Sequence, residues 1–166
     1  MEPRVFEPAK LGPLTLRNRI IKAATFEGVM PDGLVSDKLV AFHRRVASGG
    51  VGMSTVAYLA VSPEGRTDKR CIWLRAETVA GLRRLTDAIH DDGAAAAAQL
   101  GHAGPVANSR SNQAPSLAPS NGFSPMGTRL RAVSERDIGR ITDDYRAAAS
   151  LALDAGFDCI EIHLGH

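Results

Sequence analysis

The chain has 166 residues, with 20 Lys+Arg against 18 Asp+Glu, and 44% of its residues are hydrophobic. A net charge of +2 with only 5% aromatic residues excludes a basic nucleic-acid footprint and a base-stacking platform. No apolar run reaches the ~18 residues a membrane-spanning helix needs, and Met1-Glu2-Pro3-Arg4 lacks the apolar core of a secretion signal. Cys71 and Cys159 stand far apart, in no metal-ligand spacing. They read as free thiols of a cytoplasmic, single-domain protein.

Asn18 to Ala24 predicts a first strand, with apolar Ile20 and Ile21 at its start. After the Pro31-Asp32-Gly33 turn, Ser36 caps a helix carrying Leu39, Val40, Phe42, His43 and Val46 on one side, and Gly49-Gly50 stops it. Val51 to Ala57 is a second short apolar run. A second helix is expected from about Glu77 to Asp92, with Val79, Leu82, Leu85 and Ile89 at helical spacing and Gly93 at its end. Ala94 to Leu100 is ambiguous alone, since alanine favours helix. Its place between a glycine-ended helix and a glycine-rich loop favours a buried strand. Residues 101–133, rich in Ser, Pro, Asn and Gly, read as one long loop, and loops of that size in compact domains are usually functional. Ser134-Glu135-Arg136-Asp137 resembles a capping box with Asp in the third position. It opens a third helix that Gly156 ends, and Cys159 to His163 is a fourth strand.

The order βαβαβαβ implies a parallel sheet joined by helical crossovers. A doubly wound sheet would carry a glycine-rich phosphate loop after its first strand, and the candidate turn reads Ala24-Thr25-Phe26-Glu27 instead. The remaining α/β solution is a (β/α)8 TIM barrel, which needs roughly 250 residues. The chain therefore supplies its first four strands and three helices, as a single incomplete domain over residues 1–166.

Strand alternation puts Cys159, Glu161 and His163 on one face, with Ile160 and Ile162 on the other. Barrel enzymes act at the C-terminal strand ends, where His163 would sit, with His166 three residues on. Two imidazoles there can hydrogen-bond an oxygen that gains negative charge. They can equally be one packed and one solvated histidine, or two metal ligands, though no convincing third ligand is in sight. Gln99 ends the third strand and offers both a donor and an acceptor to a heterocycle edge, or is a plain surface glutamine. Lys22, within a strand, costs free energy unless paired, and it either leans out between helices or has a functional role.

Taken together, five stretches resemble the Old Yellow Enzyme family of FMN-dependent NAD(P)H oxidoreductases and ene-reductases. They are Leu14 to Ile20 (LTLRNRI) with Lys22-Ala23-Ala24, then Gly49-Gly50-Val51-Gly52, then Val61 to Arg66 (VSPEGR). Gln99 to Gly104 (QLGHAG) follows, and Gly156-Phe157-Asp158 leads through to Glu161-Ile162-His163-Leu164-Gly165-His166. The resemblance implies an enzyme with an FMN cofactor, NADH or NADPH as reductant, and a small-molecule substrate such as an α,β-unsaturated carbonyl or nitro compound. It implies no bound metal, no nucleic acid and no membrane. Residue by residue, Ala23, Ala24, Thr25 and Phe26 match the strand end that lies against the flavin ring. Ala57 and Tyr58 match the second strand's meeting with the flavin edge. Gln99 matches the glutamine that hydrogen-bonds the flavin pyrimidine, and His163 and His166 match the pair that holds the substrate oxygen. Phe26 departs from the small polar residue usual at its position, and Pro105 stands where arginine is common. The family's phosphate-binding residues and its proton-donating tyrosine fall after the stretch matched here. Self-association or a complementary half-barrel is expected to supply the missing wall of the sheet, or else the chain is non-catalytic on its own.

Overall fold

The computed structural model describes residues 4–124 and 127–165. A hairpin comes first, β1 (Ala9–Leu11) antiparallel to β2 (Leu14–Leu16). It is followed by β3 (Ile21–Lys22), α1 (Asp37–Ser48), β4 (Met53–Ala60), α2 (Ala76–Asp91) and β5 (Ala95–Gly101). The chain continues with α3 (Ser109–Asn112), β6 (Ser116–Ala118), β7 (Gly122–Phe123), β8 (Arg129–Ala132), α4 (Glu135–Asp154) and β9 (Cys159–Ile162). The main sheet has the order β3-β4-β5-β9, and every neighbouring pair is parallel. α1, α2 and α4 are its crossovers, so four strands and three helices of a partial α/β barrel are present as the alternation predicts.

The helix starts follow from their caps. The Ser36 hydroxyl accepts from Leu39 N–H, and Ser134 and Asp137 form the reciprocal pair of a capping box. Between the helices and the sheet lies the main core, where Leu39, Val56, Leu59, Leu82, Leu85, Ile89, Ala96, Ala98, Leu100, Ala148 and Ala152 pack together. Alternation along β5 separates the two faces. Ala96, Ala98 and Leu100 enter that core, whereas Ala97 turns to the opposite face and meets Leu16 and Met53. Leu14 and Leu16 of the hairpin thus cover the inner face of the sheet near its N-terminal end.

Two expectations change in detail. The first strand shrinks from Asn18–Ala24 to Ile21–Lys22, because Asn18 is committed to a side-chain lock. Its Nδ2 donates to Gly50 O (2.6 Å) and its Oδ1 accepts from Ile20 N–H (3.1 Å). Gly52 lets that strand approach, since a Cβ there would stand 2.5 Å from Asn18 O. Arg17 sits beside this lock and donates to three carbonyls, Val51 O (2.9 Å), Asp92 O (2.9 Å) and Ala47 O (2.5 Å), at the ends of α1 and α2. Residues 101–133 are not structureless: they hold α3 and a small three-stranded sheet of order β6-β8-β7. Strands of two to four residues leave no periodic signal for a sequence reading to catch. Among the described residues, no helix is long and apolar enough to cross a membrane.

Candidate active site

The register of β5 and β9 places Gln99 opposite Glu161 on the inner face, and Gln99 Nε2 donates to Glu161 Oε1 at 2.6 Å. Gln99 is buried while Glu161 is exposed. That bond uses one of the two Gln99 amide hydrogens, so the side chain keeps a second donor and its carbonyl oxygen as an acceptor. One step further along the same face come Gly101 and His163. The His163 main chain is held by its N–H bond to Leu100 O (2.8 Å), and its ring lies 6.3 Å from that of Tyr58, tilted by 30°.

Tyr58 is the fixed wall of this corner. It is only 7% exposed, and its hydroxyl donates to Gly65 O at 2.6 Å. Burial first, then the neighbouring Cys71 thiol, pushes its pKa far above the ordinary phenol value, so it remains a neutral donor. Gly101 is required by contact rather than by backbone angle: a Cβ there would stand 2.8 Å from Tyr58 Cδ2 and 3.5 Å from His163 Cβ. Ala24 of the first strand end packs into the same small cluster as Ala57 and Tyr58.

Most of the residues singled out from sequence therefore converge at the C-terminal ends of the strands. Ala24, Ala57 and Tyr58 share one cluster, and Gln99 and His163 share the inner face beside it. Ala23, Thr25 and Phe26 lie on the exposed strand end next to Ala24, with the Thr25 hydroxyl donating to Glu27. His166 lies outside the described residues. Glu161 and Gly101 were given no role in the sequence reading. A carboxylate one alternation from His163, and a glycine inside a strand, were the available signals.

Lys22 is paired. Its Nζ donates to Glu27 Oε1 (2.9 Å) and to Thr55 O (3.1 Å), and it sits 5.3 Å above the Phe42 ring of α1. Beside it, His43 is fully buried with Nδ1 2.8 Å from Ser54 Oγ. Burial and then the Lys22 charge lower its pKa to about 4, with Glu27 acting in the opposite sense. At the rim, Glu64 lies against Arg140 of α4 (2.6 Å) and near His102 (3.9 Å). Burial alone would raise its carboxyl, but the His102, backbone and Arg140 contacts outweigh it and bring the pKa down to about 2. Among the described residues, no group of three or more His, Cys, Asp or Glu could hold a metal ion.

Half of a parallel barrel, with a glutamine, a histidine and a tyrosine gathered at its C-terminal strand ends, defines the class of α/β-barrel enzymes. The NADH:flavin oxidoreductase / NADH oxidase family model matches residues 4–166, and the chain belongs to that family. It is 56% identical over 165 residues to a 4,4'-dithiodibutanoate disulfide reductase of Rhodococcus erythropolis, covering 99% of this chain and 41% of that protein. Among solved structures it is similar to morphinone reductase in complex with tetrahydroNAD, with TM-score 0.87, 27% identity, and coverage of 98% of this chain and 49% of that one. The Old Yellow Enzyme homologue of Zymomonas mobilis gives TM-score 0.86 and 28% identity, covering 97% of this chain and 48% of that one. The chain thus spans about half the length of the proteins it matches. FMN is the cofactor of this family and a nicotinamide its reductant. The inner face fits a flavin at Gln99, whose side-chain carbonyl offers an acceptor to a ring N–H.

Proposed function

We propose that this chain contributes the flavin-edge and substrate-oxygen contacts of an FMN-dependent NAD(P)H oxidoreductase acting on small activated alkenes. The observation that supports it is the Gln99–Glu161 pair set beside His163 on one inner face. When bound, FMN supplies the two-electron chemistry, taking hydride from NADH or NADPH and delivering it to the β-carbon of the alkene. Ala23, Ala24, Thr25, Phe26, Ala57 and Tyr58 border the ring, and Gln99 accepts from its pyrimidine edge. His163 and His166 donate to the carbonyl or nitro oxygen of the substrate, where negative charge collects as the hydride arrives. Two such donors at about 2.7–3.1 Å contribute roughly 10²–10³ each in rate. Tyr58 and Gly101 hold His163 in place for this role.

The name of the Rhodococcus relative favours a second electron acceptor, a disulfide. Hydride would add to one sulfur, the S–S bond would break, and the other sulfur would leave as a thiolate to be protonated. Consumption of NADH or NADPH with a cyclic enone, compared with a dicarboxylic disulfide, separates the two acceptors. We place the protein in the cytoplasm on its two free cysteines, and propose association with a second copy or a complementary half-barrel. Titration of the 166-residue chain with FMN tests the reading, by quenching of flavin fluorescence. Saturable binding that is weakened at least tenfold by Gln99→Ala is the expected result. No binding at high micromolar FMN would mean that the flavin site needs the complementary half, and that the chain is non-catalytic alone.

A further inference from the structure

Residues 101–133 carry three arginines and neither Asp nor Glu. This acid-free segment leaves the C-terminal end of β5, directly after Gly101, and returns into α4. Two of its parts meet around a cavity of about 370 Å³ lined by Asn108, Ser109, Arg110, Gly127, Thr128 and Arg129. Five of those six residues bring side-chain donors and none brings a carboxylate. Asn108 Oδ1 is occupied as an acceptor by Ser111 N–H (3.0 Å), which leaves its amide hydrogens to donate elsewhere.

The walls are fastened rather than loose. On the α3 side, Asn112 Nδ2 donates to Arg66 O (2.7 Å) and Ser111 Oγ accepts from Lys69 N–H (2.8 Å). These bonds tie the arginine-bearing turn to the segment that follows β4. On the β8 side, Leu130 is in register with Ser116 of β6, and the buried Ser116 hydroxyl donates to Ala107 O (2.8 Å). The chain neutralises Arg131 with a two-pronged ion pair to Asp137, both contacts at 2.9 Å. Among the described residues, no such ion pair or side-chain bond engages Arg110 or Arg129. Arg110 and Arg129 line the same cavity and are both exposed, and the planar donor fork of a guanidinium matches a carboxylate or phosphate.

We propose that this cavity is an oxyanion site, in which Arg110 and Arg129 take a carboxylate or phosphate of one of the protein's two substrates. The oxyanion comes either from the nicotinamide nucleotide or from the electron acceptor. This assignment of the ligand rests on the oxidoreductase reading, but the binding of an oxyanion does not, and it needs no flavin.

The test is titration of the 166-residue chain with adenosine 2′,5′-bisphosphate and, separately, with glutarate, followed by amide shifts in two-dimensional NMR. Sodium chloride at equal ionic strength serves as the control. The expected result is saturable shifts at Ser109, Arg110, Ser111, Thr128 and Arg129 by one of the two probes. Arg110→Gln and Arg129→Gln should each weaken that binding about tenfold, while Arg146→Gln, which removes a charge elsewhere on α4, leaves it unchanged. Stronger binding of the bisphosphate assigns the site to the nucleotide, and stronger binding of glutarate assigns it to the acceptor. Shifts that chloride reproduces equally, shifts outside the cavity, or indifference to both arginine variants would overturn the proposal. A chain that binds one probe here but no FMN would leave this site standing and mean that the flavin site needs the complementary half.

Discussion

Replacing Gly101 by alanine probes the packing that fixes His163. The new methyl carbon would stand 2.8 Å from Tyr58 Cδ2, against about 3.5–4.0 Å for an ordinary carbon contact, so the ring or the strand must move by roughly 0.7 Å or more. The ring is restrained at both ends. Its hydroxyl is bonded to Gly65 O at 2.6 Å, and its face packs with Ala57, Ala60, Cys71 and Ala103. Overpacking of this kind costs about 1–3 kcal/mol. Loss of the buried hydroxyl's partner, should the ring swing away, costs about 1–3 kcal/mol by itself. Against this, alanine narrows the unfolded ensemble and returns about 0.4–1 kcal/mol. The net expectation is a loss of ~1–2 kcal/mol in urea unfolding, followed by circular dichroism. The decisive comparison is a double-mutant cycle with Tyr58→Val, which removes the ring atoms that clash. In that background Gly101→Ala should be neutral or slightly stabilising, giving a coupling of at least ~1 kcal/mol. An equal cost in both backgrounds would falsify the idea that the glycine exists to admit the Tyr58 ring.

Arg17→Ala strips hydrogen bonds from three carbonyls at the ends of α1 and α2. It should cost about 2–3 kcal/mol, discounted for the solvent that reaches two of them, and Arg17→Lys should recover less than half in the same urea assay, because one ammonium cannot span three acceptors. His43 gives a pH dependence of defined sign. Its pKa is about 4 in the folded chain against an ordinary value of 6.5, so the unfolded chain takes up the proton first. Stability should therefore be fully present above pH 6.5 and fall as the pH drops toward 4, by up to ~3 kcal/mol. Measured unfolding free energies at pH 4.5 and 7 should differ by clearly less in His43→Gln, and an unchanged difference refutes the assignment.

What a sequence can announce here depends on the length of the element and on whether its determinant is local. The helices α1 and α4 were legible because their caps, Ser36 and Ser134, lie within three residues of the amides they bind. The inner face of β5 and β9 was legible because alternation is a period of two. The pairing of Gln99 with Glu161, in contrast, needs the register of two strands 62 residues apart, and no pattern inside either strand encodes it. The same distinction separates the family's recognisable motifs by purpose. Arg17-Asn18-Arg19 and Gly49-Gly50-Val51-Gly52, which made the resemblance easy to see, meet at the N-terminal end of the sheet. There Arg17 and Asn18 bond to carbonyls of helix ends and turns, and their effect is on stability. Tyr58, Gly101 and His163 stand at the opposite end, and Gly101 and His163 lie in two further stretches of the same resemblance. A substitution at Arg17 should therefore lower the unfolding free energy without moving His163, whereas Gly101→Ala should displace His163 for a similar loss of stability.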